Sequence, residues 1–545
     1  MNVVTDIEHR RAKREQMRLN LGDLRGERSA PSDLPIIKVV ASELPRVVDE
    51  AEELLLESGV AVFSRAGTLV RPIVESVPGA NGALIQVARL RPLCADSLSD
   101  LLAQTMRFQR FDERRRAWAN VDPPAKVAAI LLSREGKWQL PPIAGIITTP
   151  TLRPDGTLLS EPGYDPTTRL YLMPDEALKL PPIPERPGRE EAEQALALLF
   201  EPLAGFPFVG PVDRAVALSA VLTALLRPAL GVAPAHAIAA STPGTGKSYL
   251  VDVVATIATG RPCAVIPVGK TEEETEKRLG ALLLDGAPLI SIDNVNGELG
   301  GDMLCQMTER PLVRVRILGR SEMPEVECRS TIFATGNNLT LVGDMTRRAV
   351  LATLDAKMER PEKRAFDFDP VAHVLRDRGA LVAAAIILVR AYRAAGSPPV
   401  CGPLGSYGAW SSTVRSALVW LGEADPVASM DVMREEDPDL AMIGELFANW
   451  RDHLFPGSPY TAVEVEEVAS ERHSTGDYAR PSFRDLLMRK AGSGPVVSTR
   501  RLGAWLKAIK GRVVNGWRLD MMADEKRGHR YLLVQTTTDA PAGVG

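Results

Sequence analysis

The sequence predicts an α/β protein, and three stretches predict it. Residues 235–240 (AHAIAA) read as a strand that runs into a glycine-bearing loop, residues 241–246, and then into the helical stretch SYLVDVVATIATG. Residues 287–294 (APLISIDN) form an apolar run of buried-strand character that ends in a carboxylate. Residues 330–338 (STIFATGNN) form another, which ends in amides. Strand, loop and helix followed by further strands mark an α/β domain, which we place at 231–365.

The flanking segments differ from this core. Residues 1–30 are a polar, basic leader with Arg10, Arg11, Lys13, Arg14 and Arg18, read as a flexible tail or a nucleic-acid arm. Residues 31–185 mix short β-like runs with helical stretches, and Asp155-Gly156 is a hairpin signal, so an α+β domain is expected there. The proline-rich LPPIPERPGRE closes it. Residues 186–230 read as a helical linker or collar, residues 366–470 as a helical domain, and residues 471–535 as a small winged-helix-like domain. In that last domain FRDLLMRKAG and STRRLGAWLKAIKG are the helices, and VVNGWRLDM pairs with HRYLLVQ as the wing. Residues 536–545 read as a disordered tail.

Composition bounds the function. The chain has 545 residues, enough for two to four domains. With 45% hydrophobic and 25% charged residues it fits a soluble globular class, and it has no apolar run of membrane-spanning length. The N-terminus is charged where a secretory signal is apolar, so a cytoplasmic location is expected. Cys94, Cys263, Cys305, Cys328 and Cys401 form no CxxC pair, which excludes a zinc ribbon or a redox motif of that spacing. The net charge of −4 means that any contact with nucleic acid must come from local basic patches.

The segment Ser241, Thr242, Pro243, Gly244, Thr245, Gly246, Lys247, Ser248 and Tyr249 fits GxxxxGK[ST] except that Ser241 replaces the first glycine. Glycines let backbone N–H groups wrap a phosphate, and the following helix adds its positive end. Lys247 is therefore expected to reach the terminal phosphates of ATP, and Ser248 to ligate Mg2+. The fold class expected is thus α/β with a P-loop NTPase core. Asp293 is the second Mg2+-holding acid, at the end of an apolar strand. Asn294 follows it, an amide that can orient water and cannot act as a base. Glu272 to Glu274 offer either a base or a solvated helix start. Asn337 and Asn338 can bond a γ-phosphate and a lytic water, or form a plain turn.

Arg347 or Arg348 is either an arginine finger delivered from a neighbouring subunit, which requires a closed ring, or a salt-bridged surface residue. In VRVRILGRSE, period-two alternation puts Arg314 and Arg316 on one face of a strand, with Arg320 near the tip of a hairpin. Such a hairpin either grips a DNA backbone or carries solvated arginines. Arg500, Arg501, Lys507 and Lys510 lie on or beside the second helix of the winged-helix-like domain, where they suit phosphate contacts; a protein-binding winged helix is the alternative.

The order ISIDNVNG, VRVRILGRSE, FATGNN and MTRRAVLATLD resembles superfamily 3 helicases, hexameric AAA+-like ATPases of viral replication. That resemblance implies a DNA-tracking hairpin before the sensor asparagine and a finger at a place like Arg347 or Arg348. The wider chain, from TLRPDGTLLSEPGYDPTTRLYL to GSYGAWSSTVRSALVWLGEADP, is similar to prophage and integrative-element ATPases of the primase–helicase class over most of 140–530. Residues 31–200 contain neither a DxD pair nor a histidine, so no primase activity is expected; Asp367-Phe-Asp369 reads as a solvated turn. The function expected is an ATP-dependent, ring-forming DNA helicase or translocase for a prophage or integrative element. Its partners would be single-stranded or forked DNA, further copies of the chain in a hexamer, and primase or replication proteins, with no membrane. The alternatives are an origin-binding initiator that does not unwind, and a defence or regulatory ATPase.

Overall fold

A computed structural model describes residues 34–78, 84–316, 323–364, 367–435, 437–524 and 528–536. The basic leader, the Gly319–Arg320–Ser321 tip and the last nine residues lie outside the described residues. The chain divides into two compact units. Among the described residues no helix is long and apolar enough to cross a membrane.

The N-terminal unit holds 34–74 and 89–143. Its centre is a three-stranded sheet of β1 (Ile36–Val39), β5 (Arg107–Asp112) and β6 (Ala117–Val121), with β1 parallel and β6 antiparallel to β5. Helices α1 (Leu44–Glu57), α2 (Ala95–Thr105) and α3 (Ala125–Ser133) present apolar stripes to one another. Val47, Leu55, Leu98, Leu102, Val127 and Leu131 close over Ile37 and Phe108 of the sheet. A second sheet is formed by β2 (Phe63–Arg65), β3 (Thr68–Pro78) and β4 (Leu84–Pro92).

The second unit holds 144–545 and the arm 75–88. Residues 144–175 fall within this unit. They carry the short strands β7 (Gly145–Ile147), β8 (Thr151–Leu152), β9 (Leu158–Leu159), β10 (Gly163–Asp165) and β11 (Leu170–Leu172). The Asp155-Gly156 hairpin is present, pairing β8 with β9. Polar side chains fix this stretch to the helices around the core. Thr149 Oγ1 donates to Ala258 O and Thr151 Oγ1 to Leu225 O, both at 2.6 Å, and Arg378 donates to Asp175 at 2.6 Å. Bonds of this kind, between residues far apart in the chain, leave no mark in proline content.

The core is a five-stranded, all-parallel sheet in the order β13 (Val265–Pro267), β14 (Leu289–Leu299), β17 (Thr331–Leu341), β12 (Ala235–Ala240), β18 (Ala349–Leu354). Parallel strands are covered on both faces, so they read as continuous apolar runs rather than alternating ones. Helix α4 (Arg189–Phe200) precedes α5 (Pro211–Leu226), which packs on β18 and on α6 (Lys247–Thr259); the long α9 (Pro370–Ala394) packs on α4 and α6. Between β13 and β17 come α7 (Glu272–Leu284), α8 (Asp302–Glu309) and the antiparallel pair β15 (Leu312–Arg314) and β16 (Glu325–Glu327).

Two differences from expectation matter for the site. The strand expected to end at Asp293 runs on to Leu299, alongside a β17 that runs on to Leu341. The pairing shifts register between Ile292 and Val295, where Asn294 takes a left-handed φ of 56° that asparagine tolerates better than most residues. Asp369 is exposed, as a solvated turn requires, and also caps α9, accepting from Val371 N at 2.9 Å.

The C-terminal part of this unit is mainly helical and ends in a small sheet. Helices α10 (Pro438–His453), α11 (Ala462–Ser470), α12 (Pro481–Ala491) and α13 (Thr499–Ile509) surround Trp450, Phe483, Leu506 and Tyr531. Strands β19 (Gly492–Ser493) and β20 (Val496–Val497) pair with each other, and β21 (Val513–Val514), β22 (Trp517–Asp524) and β23 (Gly528–Gln535) form an antiparallel sheet. Trp505 and Trp517 pack against this core.

Candidate functional site

The sheet order places β12 between β17 and β18, although β17 and β18 come last in the core sequence. At such a switch in strand order the loops leaving the two sides diverge, and a crevice opens at the carboxyl edge. The loop 241–246 leaves β12 at that edge. Ser241, Pro243 and Gly244 are exposed, Thr242 is half-buried and Thr245 is buried. Gly246 stands at the N-cap of α6 with φ 98°, a left-handed value that lets the chain turn straight from loop into helix. The first free N–H groups of a helix of 13 residues therefore face the loop.

Lys247, the first residue of α6, is only 9% exposed. Its Nζ donates to Asn337 Oδ1 at 2.6 Å, to Thr245 Oγ1 at 3.3 Å and to Thr242 O at 3.4 Å. Burial pulls its ammonium below the ordinary lysine value, while the charge of Asp293 works in the other direction. Ser248 Oγ donates to Asp293 Oδ1 at 2.8 Å, and Thr335 Oγ1 donates to the same oxygen. Lys247, Ser248, Asp293 and Asn337, separated by up to 90 residues in sequence, thus meet at one edge of the sheet. Thr335 was missed by sequence reasoning; its position two residues before Asn337, on the strand paired with β14, was the available signal.

Asn294 and Asn338 are both exposed and both left-handed, with φ of 56° and 53°. The Asn294 N–H reaches Thr335 Oγ1 at 3.5 Å. Gly336, opposite Val295, allows β14 and β17 to come close: a Cβ there would lie 2.1 Å from Val295 O. The three glutamates at the start of α7 are used locally. Glu272 accepts from Asp302 N, Glu273 pairs with Lys277, and Glu274 accepts from Lys270 N and pairs with Arg278. They therefore form a capped, acidic helix start rather than a supply of base.

A cavity of about 270 Å3 adjoins the loop, lined by Phe206, Gly246, Tyr249, Arg364, Asp367 and Phe368 among others. Sequence reading found only Tyr249 and the loop here; the two phenylalanines come from separate connecting segments and carry no pattern. The Tyr249 hydroxyl donates to Asp369, and burial together with that carboxylate pushes its pKa up to about 12. Among the described residues no group of three or more His, Cys, Asp or Glu side chains gathers to hold a metal ion. The oxygens of Ser248 and Asp293 are hard donors of the kind that Mg2+ accepts alongside water and phosphate.

The paired arginines separate in role. Arg348 is 6% exposed, ion-paired with Glu309 and with Asp344 at 3.0 Å, and donates to Cys305 O at 3.3 Å. So engaged, it is not available to a neighbouring subunit. Arg347 is about half exposed and pairs with Asp344 at 2.9 Å. Arg314 is exposed and pairs with Glu325 across β15 and β16 at 3.1 Å; Arg316 is exposed just beyond. Arg320 lies outside the described residues. Arg500, Arg501, Lys507 and Lys510 are exposed along or beside α13, with Leu502, Leu506 and Ile509 buried on the other side. Arg501 also donates to Gly492 O.

No family model matches the sequence, and no curated protein matches it. Among solved structures the chain is similar to the A form apo structure of the NrS-1 C terminal region, at 10% identity and a TM-score of 0.39, covering 89% of this chain and 98% of that one. It is similar also to an A form apo structure of residues 305–718 of that region, at 11% identity and a TM-score of 0.35, with the same coverage. Likeness at this level assigns neither fold nor activity.

Proposed function

We propose that the chain is a P-loop ATPase acting as a ring-forming DNA helicase or translocase, in the cytoplasm of a bacterium, for replication of a prophage or integrative element. One observation carries the nucleotide part: a buried lysine, a serine, a carboxylate and an amide, drawn from the start of one helix and from two adjacent strands, converge at the mouth of a glycine-bearing loop. On this reading the loop's N–H groups and the end of α6 hold phosphates. Lys247 exchanges its bond to Asn337 for one to the terminal phosphates, and Asn337, released, orients water. Ser248 and Asp293 would hold Mg2+, which when bound neutralises phosphate charge. The adjoining cavity, with aromatic walls, suits a planar base.

The finger role falls to Arg347, the exposed member of the pair, supplied to the next subunit of a hexameric ring. Arg314 and Arg316 on the short hairpin and the cations of α13 are the DNA contacts. The weak, exposed Arg314–Glu325 pair is readily given up for a phosphate. The C-terminal helices and hairpin fit a winged helix. Replication proteins of the element or host are the further partners.

The test is hydrolysis and strand separation on forked DNA. DNA-stimulated turnover with unwinding, both abolished in Lys247→Ala, is the expected result; unwinding retained in that variant removes the loop from the mechanism. One observation favours a second reading, an initiator switched by nucleotide: Asn294, exposed and left-handed, stands where a base is needed. Slow turnover indifferent to DNA, with nucleotide-dependent assembly on duplex, selects it.

A further inference from the structure

The open face of the N-terminal sheet carries chemistry that the nucleotide site does not use. Strands pair residues on a common face, so the register of β1, β5 and β6 fixes the array. Ile37 and Phe108 point into the helices; the residues between them in the alternation lie on the opposite face. That face presents Ile36 beside Arg107, then Lys38 beside Gln109 beside Asn120, then Phe111 beside Trp118. The hydrophobic members are exposed: Ile36 48%, Phe111 41% and Trp118 37%.

These side chains are ordered rather than scattered. Phe111 and Trp118 meet edge to face with centroids 5.7 Å apart. Lys38 Nζ sits 5.0 Å from the Trp118 ring centroid. Gln109 donates to Asn120 at 3.0 Å, which joins two side-chain amides across the strands. The β5–β6 turn beside the aromatics holds Arg114, Arg115 and Arg116, all exposed, and Asp112 shapes it by accepting from the N–H groups of Arg114 and Arg115. Lys38, Arg107 and the three turn arginines make five cations against two carboxylates, Asp112 and Glu113.

We infer that this face is a binding platform for single-stranded nucleic acid. Unstacked bases lie on exposed aromatic rings, and the amides of Gln109 and Asn120 offer donors and acceptors to base edges. The arginine turn and Lys38 neutralise phosphates along the strand. A protein partner would be met by an apolar centre with few charges; here the charges sit among the aromatics. Duplex DNA buries its bases in the stack and gains only the phosphate contacts. The platform is independent of the nucleotide site, so it is tested without nucleotide.

The experiment uses the full chain and measures fluorescence anisotropy of labelled single-stranded DNA, single-stranded RNA and duplex DNA of one sequence. Phe111→Ala with Trp118→Ala is expected to weaken single-strand binding about tenfold or more and to leave duplex binding nearly unchanged. Trp118→Phe, which keeps a ring, is expected to retain most of the affinity. Arg114→Glu with Arg115→Glu is expected to weaken binding and flatten its salt dependence. Photo-crosslinking of an iodouracil-bearing strand should label the peptide spanning 107–121. A preference of the wild type for one sugar identifies the strand as DNA or RNA and supports the platform either way. Unchanged single-strand affinity in the double alanine variant, with wild-type melting and no crosslink in that peptide, overturns it; should that variant fail to fold, unchanged binding in the double glutamate variant overturns it instead.

Discussion

Replacing Gly336 by alanine tests how closely the site depends on the approach of β14 to β17. A Cβ at this position lies 2.1 Å from Val295 O and 3.0 Å from Leu339 Cβ. Real Cβ contacts essentially never fall below 3.0 Å, so the two strands must part by at least 3.0 − 2.1 = 0.9 Å. Both atoms of the worst clash belong to main chain or its first side-chain atom, so no rotamer change relieves it. Overpacking of this kind costs about 1–3 kcal/mol. The displacement falls two residues from Asp293, whose bond to Ser248 is 2.8 Å long, and one residue from Asn337. If Asp293 is carried with Val295 away from Ser248, their hydrogen bond is stretched, and a misplacement near 1 Å costs on the order of a hundredfold in rate. Gly336→Ala is therefore expected to lower the thermal midpoint by several degrees and to reduce ATP turnover at least tenfold. Gly231→Ala, where a Cβ meets nothing within 4 Å, is the control and should match wild type in both. Unaltered melting and turnover in Gly336→Ala would show that the strand contact does not position the site.

The two arginines should separate on substitution. Arg348→Ala strips a buried cation from Glu309 and Asp344 and is expected to destabilise the fold by about 2–3 kcal/mol in denaturant titrations, the half-exposed Asp344 moderating the loss. Arg347→Ala should change stability by under about 1 kcal/mol and abolish turnover, and mixing it with Lys247→Ala should recover activity from sites that combine one intact lysine with one intact arginine. No recovery on mixing, with Arg347→Ala alone fully active, removes the shared site. His236, wholly buried in β12 with Nε2 3.0 Å from Ser219 Oγ, is pushed down to about 3 by burial, against 6.5 when exposed. Its folded value is depressed, so the unfolded chain binds the extra proton first. The related stability is complete above pH 6.5 and is lost as pH falls towards 3, at about 1.4 kcal/mol per unit. Between pH 6.5 and 5 the wild type should lose about 2 kcal/mol more than His236→Phe in urea unfolding; equal losses would show that this ring does not titrate between the two states.

The sheet was legible because its strands are apolar on both faces. AHAIAA, LISID and TIFAT can be buried nowhere else, and the glycines and lysine after the first mark the loop. The close grouping of Lys247, Ser248, Asp293 and Asn337 followed from the order of segments alone. What the sequence concealed depends on contacts distant along the chain. Thr335 is one polar residue among apolar ones, and nothing local says that it faces Asp293. Arg347 and Arg348 are indistinguishable as text; only the positions of Glu309 and Asp344 bury one and leave the other at the surface. The extension of β14 past Asp293 was hidden because Asn-Val-Asn-Gly reads as a turn, while β17 supplies it with a hydrogen-bonding edge. The aromatic platform escaped notice for the same reason. Phe111 and Trp118 become neighbours only once β5 and β6 pair, and RFDERRRAW reads locally as a charged turn.

The central claim is that the loop ending in Lys247 seizes a nucleoside triphosphate. Isothermal calorimetry of Mg-ATP against the full chain, wild type beside Lys247→Ala, measures this most directly. The account predicts saturable uptake by the wild type and a weakening of about tenfold or more in a variant that is still folded by circular dichroism, since the lysine's charge-assisted bonds are lost. Equal isotherms for the two proteins, or no uptake by a folded wild type, would contradict it.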